Sequence, residues 1–399
     1  MNNGVLYISY DGMLEPLGQS QVLSYLKILA VEHRIFLISY EKATDWKNLS
    51  KRESIAEEIE SAGISWHPLR YHKSPSALAT AWDILCGTSL GLWLILLHRL
   101  KIVHARSYVP SVMALALKQL LGVKFLFDMR GFWADERIDG DLWRRNSAVY
   151  CLAKKFEKHF LMTADHVVSL TQAAVREMEC FDYLQGKMPT VTVIPTCTNL
   201  TRFKPMVQKQ LESRFLLGYV GSASNWYLFD KVVDCFTILR NMRPNAHFLI
   251  INRGQHEFIR NELVSAGVPD SAYEIVAADH SSVPGIMMKM DAGIFFYRPS
   301  YSRAACSPTK LGEFLGCGIP CLSNTGIGDM AEVLEKERVG VAITSFDEVA
   351  LKDGLNQLIE LVVDLGTRAR CVAAAEYHFS LTTGTDKYNI IYSSLLNRH

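Results

Sequence analysis

The chain has 399 residues, more than one ordinary α/β core holds, so two domains are expected. Hydrophobic residues make up 49% and charged residues 21%, a globular composition that excludes a disordered chain. The 42 Lys and Arg residues nearly balance the 41 Asp and Glu residues, and a net charge of +1 provides no global field to recruit nucleic acid.

The start of the chain leads directly into an apolar strand, without the basic segment and cleavage site of a signal peptide. The nine cysteines are scattered and form neither a disulfide framework nor a paired zinc pattern. Both features predict a cytoplasmic protein.

Short apolar runs alternate with helical patterns, which predicts βαβ units around parallel sheets. The first set of predicted strands covers residues 5–10, 34–40, 64–70, 102–105, 123–128, 166–170 and 190–194. The helices predicted among them cover residues 21–31, 55–62, 112–121 and 150–162. The second set of predicted strands covers residues 215–220, 247–251, 273–276, 292–297, 320–323 and 339–343.

The sequence therefore predicts an α/β fold with two Rossmann-like, doubly wound domains facing each other across a cleft. Residues 1–195 form the first domain and residues 214–380 the second. Prolines and polar residues replace the apolar period in residues 196–213, which predicts a linker. Residues 381–399 predict a C-terminal helix that packs back toward the first domain. Ligands of such sheets bind at the carboxyl ends of the strands.

Residues 84–97 are uncharged and mostly apolar, but they fall short of the ~20 residues that span a bilayer. We expect a helix of the first domain that faces a membrane, with a buried core helix as the alternative. Cations that would attach it to an anionic inner leaflet follow in the same domain. They are Arg99, Lys101, Arg144, Arg145, Lys154 and Lys155.

Residues 307–320 (SPTKLGEFLGCGIP) are the most informative segment. Ser307 suits an N-cap and Pro308 a first helical position, so a helix that can bind an anion is expected to open here. Lys310 in the first turn opposes the helix dipole, which a bound phosphate would explain. Glu313 lies one turn further and could accept hydrogen bonds from a ribose. The predicted ligand-binding residues of the segment are Ser307, Thr309, Lys310 and Glu313.

This segment resembles the nucleotide-sugar site of the family 4 glycosyltransferases, which have the GT-B fold. That family usually carries two glutamates separated by seven residues; Glu313 matches the second, and Ala305 stands at the first. Residues 193–205 resemble the link between the two domains of the family. The resemblance implies a retaining, metal-independent transferase with no cofactor, whose second domain holds the nucleotide sugar and whose first domain serves the acceptor.

Residues 215–227 predict a strand that enters a loop of small residues, where backbone N–H groups can approach phosphates. The segment resembles the first strand of the donor domain in the family, with Ser222 where many members carry Arg. We therefore expect other cations to neutralise the diphosphate. Besides the residues of the 307–320 segment, the predicted donor-binding residues are Gly18, Gly221, Ser222, Arg253 and Arg298.

Two further stretches, residues 103–108 and 127–137, follow neighbouring predicted strands of the first domain. Their charged residues are hard to explain by packing, because unpaired charges are costly to bury. The second stretch resembles a segment of bacterial family 4 enzymes that build surface polysaccharides. The predicted catalytic residues are His104, Arg106, Arg130, Asp135 and Glu136. A structural salt-bridge network is the alternative.

The resemblance implies a hexosyl- or N-acetylhexosaminyl-transferase of bacterial capsule, O-antigen or exopolysaccharide synthesis. Its expected partners are a nucleotide sugar and a glycan or polyprenyl-diphosphate-linked acceptor. Two alternatives remain: a GT-B nucleotide-sugar epimerase, and a non-catalytic nucleotide-sugar-binding protein, which Ala305 and Ser222 suggest.

Overall fold

The computed structural model describes residues 4–74, 76–206, 214–279 and 282–397. The chain forms two compact units. Unit 1 combines Met1–Pro195 with Leu381–His399, and unit 2 is Thr196–Ser380. Each unit contains one parallel sheet.

The sheet of unit 1 has seven strands in the order β3-β2-β1-β4-β5-β6-β7. The strands are β1 (Gly4–Ser9), β2 (Arg34–Glu41), β3 (Ser65–Arg70), β4 (Ile102–Arg106), β5 (Lys124–Asp128), β6 (His166–Ser169) and β7 (Val191–Val193). The order reverses between β1 and β4, and such a reversal opens a crevice at the carboxyl ends of the strands.

The helices of unit 1 connect the parallel strands of this sheet. They are α1 (Pro16–Gly18), α2 (Ser24–Leu29), α3 (Ala43–Trp46), α4 (Leu49–Ser61), α5 (Ser76–His98), α6 (Tyr108–Leu121), α7 (Trp133–Asp139), α8 (Ala148–Thr163), α9 (Gln172–Glu179) and the last helix, Leu381–Asn397. A π-helical turn, Gln19–Leu23, joins α1 and α2. The last helix packs against α2 and β4.

The sheet of unit 2 has six strands in the order β10-β9-β8-β11-β12-β13, with the reversal between β8 and β11. The strands are β8 (Leu216–Val220), β9 (His247–Ile251), β10 (Tyr273–Val276), β11 (Ala292–Ile294), β12 (Cys321–Asn324) and β13 (Gly340–Ile343). The helices are α10 (Phe229–Met242), α11 (His256–Ser265), α12 (Val283–Met287), α13 (Thr309–Gly316), α14 (Met330–Lys336), α15 (Glu348–Val363) and α16 (Thr367–Phe379). The last helix of unit 1, Leu381–Asn397, is therefore α17.

The core of unit 2 brings α13 close to the sheet. Gly293 of β11 is required here, because a Cβ at this position would lie 2.8 Å from the ring of Phe314 on α13. Phe314 itself is fully buried and stacks on Phe295 at a ring distance of 6.0 Å. This packing places the start of α13 at the reversal of the strand order.

Each of the thirteen predicted strands has a counterpart in the described residues, which confirms two parallel-sheet α/β units. β11 ends three residues early, because the backbone N–H of Tyr297 donates to the side chain of Asn324 (2.8 Å) instead of continuing the ladder. Helix α5 begins at Ser76 rather than at residue 84.

Part of the predicted linker belongs to unit 2. Residues 196–206 lie in that unit, where the N–H of Thr198 donates to the carbonyl of Phe379 at 2.7 Å. Residues 207–213 of the prediction lie outside the described residues. Helix α17 is a part of unit 1.

Candidate functional site

A buried lysine lies at the strand-order reversal of unit 2. Lys310 of α13 is 7% exposed, and its Nζ lies 3.8 Å from the ring centre of Tyr227 and 5.0 Å from that of Tyr219. Phe295 and Tyr297 lie at 5.7 and 5.8 Å. We call these four rings the aromatic box. They come from β8, from the loop after it and from the segment after β11, so the reversal assembles them.

The ammonium of Lys310 makes no hydrogen bond to any part of the chain that the structure describes. Aromatic faces attract a cation but do not replace its water. Burial accordingly lowers the pKa of Lys310 to about 7, although nearby Glu313 opposes the shift. The position is therefore complementary to an anion, which would restore the charged form.

The loop after β8 leaves space beside this ammonium. Gly221 has a left-handed φ of 104°, and a Cβ there would lie 3.4 Å from Lys310 Nζ. Asn252 fixes the loop by donating from Nδ2 to the carbonyl of Gly221 (2.9 Å). Gln255 Oε1 accepts from the hydroxyl of Ser222 (3.0 Å) and from the N–H of Ala223 (2.8 Å). A glycine in a braced loop thus faces the lysine.

Glu313 lies one helical turn beyond Lys310 on α13 and is partly exposed. Burial raises its pKa to about 7, against the opposing effects of Lys310 and Arg202. A carboxyl that is easily protonated can either accept or donate a hydrogen bond to a hydroxyl-bearing ligand. Lys310 and Glu313 are therefore predicted donor-site residues that the structure brings together.

The prediction that Ser307 caps α13 is wrong. The helix begins at Thr309, and Pro308 occupies the cap position without a side-chain hydrogen bond. The hydroxyl of Ser307 instead accepts the N–H of Thr196 at 3.1 Å, which ties the first residue of unit 2 to the start of this helix. Thr309 is partly buried in the first turn.

The other two predicted cations are not gathered around the aromatic box. Arg253 is paired with Asp279 at 2.9 Å, and its side chain is 64% exposed. Arg298 is exposed, and its backbone N–H donates to the carbonyl of Trp226 at 2.9 Å. Of the three predicted cations, Lys310 alone contacts the box in the described structure.

Sequence reasoning missed the aromatic box and Arg303. The guanidinium carbon of Arg303 lies 4.3 Å from the ring centre of Trp226, and the residue is 6% exposed. It belongs to the 3₁₀ turn Tyr301–Ala305 that precedes α13, where Ala305 is buried. The position of Arg303 just before residues 307–320 was a sequence signal that could have indicated it. The rings carried none, because tyrosines at strand ends are common core residues.

The carboxyl ends of β4 and β5 in unit 1 carry a second charged group, the strand-end cluster of His104, Arg106, Asp128 and Arg130. His104 is 1% exposed, with Nε2 3.6 Å from Asp128 Oδ2. Arg130 Nη1 lies 4.0 Å from Asp128 Oδ1, and Arg106 Nη1 lies 3.3 Å from Asp11. Of these four residues, all but Asp128 were predicted to be catalytic.

Helix α17 completes this cluster. The hydroxyl of Tyr388 donates to Asp128 at 3.1 Å, and Nδ1 of His104 lies 2.7 Å from the hydroxyl of Tyr392. Burial lowers the pKa of His104, which favours the neutral ring. Burial alone would raise the pKa of Asp128, but Arg130 and His104 hold it below its ordinary value. The cluster surrounds one ionised carboxylate, while His104 Nε2 and Asp128 Oδ1 make no hydrogen bond to the described residues.

Asp135 belongs to a separate network. It is buried and accepts hydrogen bonds from Tyr150 and Lys154, both at 2.9 Å. Lys154 also pairs with the buried Glu157, which in turn accepts the hydroxyl of Tyr108. For Asp135, the alternative of a structural salt-bridge network accounts for its position.

Glu136 and Gly18 are the two remaining predicted site residues of unit 1. Glu136 is partly exposed on α7. Gly18 is needed for close packing, because a Cβ there would lie 2.0 Å from the carbonyl oxygen of Gly12. Gly18 belongs to unit 1, whereas the other predicted donor-binding residues belong to unit 2.

The cysteines are all free thiols. Within the described ranges, no three His, Cys, Asp or Glu side chains converge as a metal site would require.

Comparisons with known proteins agree with this architecture. Residues 22–197 match the Glycosyl transferase 4-like domain. A glycosyltransferase from Rickettsia africae has 14% identity and a TM-score of 0.73, with 100% of both chains covered. Sucrose-phosphate synthase from Thermosynechococcus elongatus has 11% identity and a TM-score of 0.71, again over 100% of both chains.

Anabaena Alr3699/HepE, solved in complex with UDP, has 14% identity and a TM-score of 0.70 over 99% of this chain and 100% of its own. A comparison with curated protein sequences finds no match. The fold is therefore that of the GT-B glycosyltransferases.

Proposed function

We propose that the chain is a glycosyltransferase whose unit 2 binds the diphosphate of a nucleotide-sugar donor. One observation carries the proposal: a buried lysine without a hydrogen-bond partner in the described structure, at the point of the sheet where α/β folds bind ligands. The match of residues 22–197 to a glycosyltransferase domain and the complex of a similar fold with UDP support it.

Sugar transfer breaks the bond between the anomeric carbon and the diphosphate, and negative charge grows on the leaving oxygen. A cation already fixed in a site of low dielectric stabilises this charge without reorganisation. Lys310 supplies that cation, and the first turn of α13 adds its dipole. Gly221 leaves the space that the phosphates need, and Glu313 is proposed to contact the ribose.

Unit 1 is proposed to serve the acceptor. Arg106 and Arg130 lie at the strand ends beside Asp11 and Asp128 and are the proposed contacts for an acceptor. His104 is a positioning residue in this proposal, because its ring is enclosed by Tyr7, Tyr388 and Tyr392.

The finer proposal is a retaining, metal-independent, cytoplasmic hexosyl- or N-acetylhexosaminyl-transferase. Its acceptor is proposed to be a polyprenyl-diphosphate-linked glycan of a bacterial surface polysaccharide. Retention rests on the resemblance of residues 307–320 to family 4 enzymes, and the surface-polysaccharide acceptor rests on the resemblance of residues 127–137. Metal independence rests also on positioning and cation chemistry that can replace a metal.

The test begins with calorimetric binding of UDP, GDP, ADP and their sugars. Transfer is then assayed on a bacterial lipid extract with excess chelator, and the anomeric configuration of the product is read by NMR. We expect tight binding of one nucleotide, transfer that survives the chelator, and retention.

The outcomes separate the alternatives. Failure of every nucleotide to bind would reject the donor site. Conversion of the donor without any acceptor would indicate an epimerase, and binding without turnover would indicate a non-catalytic protein. Recovery of activity only on adding Mg²⁺ or Mn²⁺ would reject metal independence.

A further inference from the structure

Helix α5 presents large apolar side chains to solvent along its whole length. At about 100° per residue, these side chains fall on one side of the helix. Each is between 55% and 71% exposed: Leu78, Trp82, Leu85, Trp93, Leu96 and Leu97. We call this surface the outer face of α5. Single exposed apolar residues are normal, but six large ones on one side of a helix, two of them tryptophans, mark an interaction surface.

The opposite side of α5 is packed into unit 1. Asp83 is buried there and accepts the hydroxyl of Tyr10 at 2.7 Å. Gly87 lies against Tyr40 and Met113, where a Cβ would come within 2.3 Å of the Tyr40 hydroxyl. By length and composition α5 could cross a membrane. Its packed side makes that incompatible with the folded unit, so a membrane can contact the outer face only.

Charge at the two ends of α5 indicates the kind of surface that fits. Arg70 and Lys73 precede the helix, Arg99 and Lys101 follow it, and all four residues are exposed. The one acidic residue within α5 is the buried Asp83. An apolar stripe between cations suits an anionic interface, where tryptophans sit at the level of the headgroups.

We propose that the outer face of α5 binds the surface of an anionic lipid bilayer, with the helix axis parallel to the membrane plane. The few exposed cations near such a surface attract it only weakly, so attachment is reversible. A second copy of the chain fits less well. In an isologous contact through this face the cations at the ends of one helix would oppose those of the other.

The proposal is tested by flotation of the full chain with vesicles of phosphatidylcholine alone or with phosphatidylglycerol. The double variant Trp82→Glu/Trp93→Glu removes the apolar stripe. Val31→Glu is the matched control, because Val31 is an 83% exposed residue of unit 1 outside α5. A third variant, Arg99→Glu/Lys101→Glu, removes the charge. Thermal unfolding and nucleotide affinity verify that each variant is folded.

We expect the wild type and Val31→Glu to float with anionic vesicles and to bind neutral ones at least tenfold more weakly. The tryptophan variant should remain at the bottom, and the charge variant should lose binding mainly at low salt. Equal flotation of the tryptophan variant would overturn the proposal, as would a wild type that never floats at low salt. A wild-type dimer that the tryptophan variant dissociates would assign this face to a protein contact instead. Nucleotide binding that is unchanged in all variants separates these outcomes from any failure of the donor site.

Discussion

The two sheets share one strand order around their reversal points, yet they surround their buried charged groups in different ways. At the strand ends of unit 1, Asp128 is held among His104, Arg130 and two tyrosines of α17. At the reversal of unit 2, the ammonium of Lys310 lies among four aromatic rings and makes no hydrogen bond to the described residues. The carboxylate of Asp128 is surrounded by side chains of its own unit, whereas the ammonium of Lys310 makes no hydrogen bond to the described residues. The same topology can thus hold a charge by pairing it within one unit, or leave the charge available to a ligand.

The largest expected effect is on stability, from substitution of Asp128 in unit 1. Asp128→Ala leaves Arg130 without its carboxylate, and breaking a buried pair costs roughly 3–5 kcal/mol. We expect a loss of that size in the free energy of unfolding, measured by denaturant titration. The affinity of unit 2 for a nucleotide diphosphate should be unchanged, since Asp128 lies in unit 1. A stable Asp128→Ala protein would show that the cluster does not act as a structural unit.

The next largest effect is on ligand affinity, from substitution of Lys310 in unit 2. Lys310→Met should weaken diphosphate binding by about 1.5–3 kcal/mol, the usual value of a charge-assisted hydrogen bond. Without ligand the variant should be at least as stable as the wild type near pH 7, because it removes a buried cation. The pKa of Lys310 is about 7 in the folded chain and 10.5 ordinarily. Between these two pH values the unfolded chain binds a proton that the folded chain does not. The stability of the wild type therefore rises with pH in this range.

Arg298→Met serves as the control for Lys310→Met, because Arg298 is an exposed cation of the same unit. It should change diphosphate affinity little, as expected for solvated charges. Equal losses in the two variants, by calorimetry at one salt concentration, would mean that general charge rather than the aromatic box binds the ligand.

The smallest expected effect is the uptake of a proton when the ligand binds. A bound diphosphate should raise the pKa of Lys310 again, so binding takes up a proton above pH 7 and the affinity falls by about fivefold between pH 7 and pH 8. A sugar nucleotide is the suitable probe, because its diphosphate carries no proton near neutral pH. Calorimetry in buffers of different ionisation enthalpy measures the uptake.

Glu313 also titrates near neutral pH, so the same measurement is made in Glu313→Gln to isolate the lysine. Proton uptake that persists in Glu313→Gln and disappears in Lys310→Met assigns the proton to Lys310. An affinity that does not change with pH in Glu313→Gln would contradict a depressed pKa in the aromatic box.

The fold followed from the sequence because alternating strands and helices are local patterns. The strands at residues 247–251 and 273–276 were predicted with the observed bounds. Lys310 and Glu313 could be found because both lie in one helical segment. The aromatic box could not, because Tyr219 and Phe295 meet Lys310 only through the strand order. The pairing of His104 with Tyr392 joins residues far apart in the chain, and no local pattern indicates it.

The route of the chain has a consequence for the order in which the protein can fold during synthesis. Helix α17 supplies Tyr388 and Tyr392 to unit 1, yet the ribosome makes it after the whole of unit 2. The strands of unit 1 are therefore translated before α17 exists. His104 and Asp128 stay incompletely covered while residues 196–380 are synthesised. Thr198, near the start of unit 2, forms a parallel β-bridge with Ser380 at its end, so unit 2 can fold on its own in the meantime. The half that is synthesised first is the last to be completed.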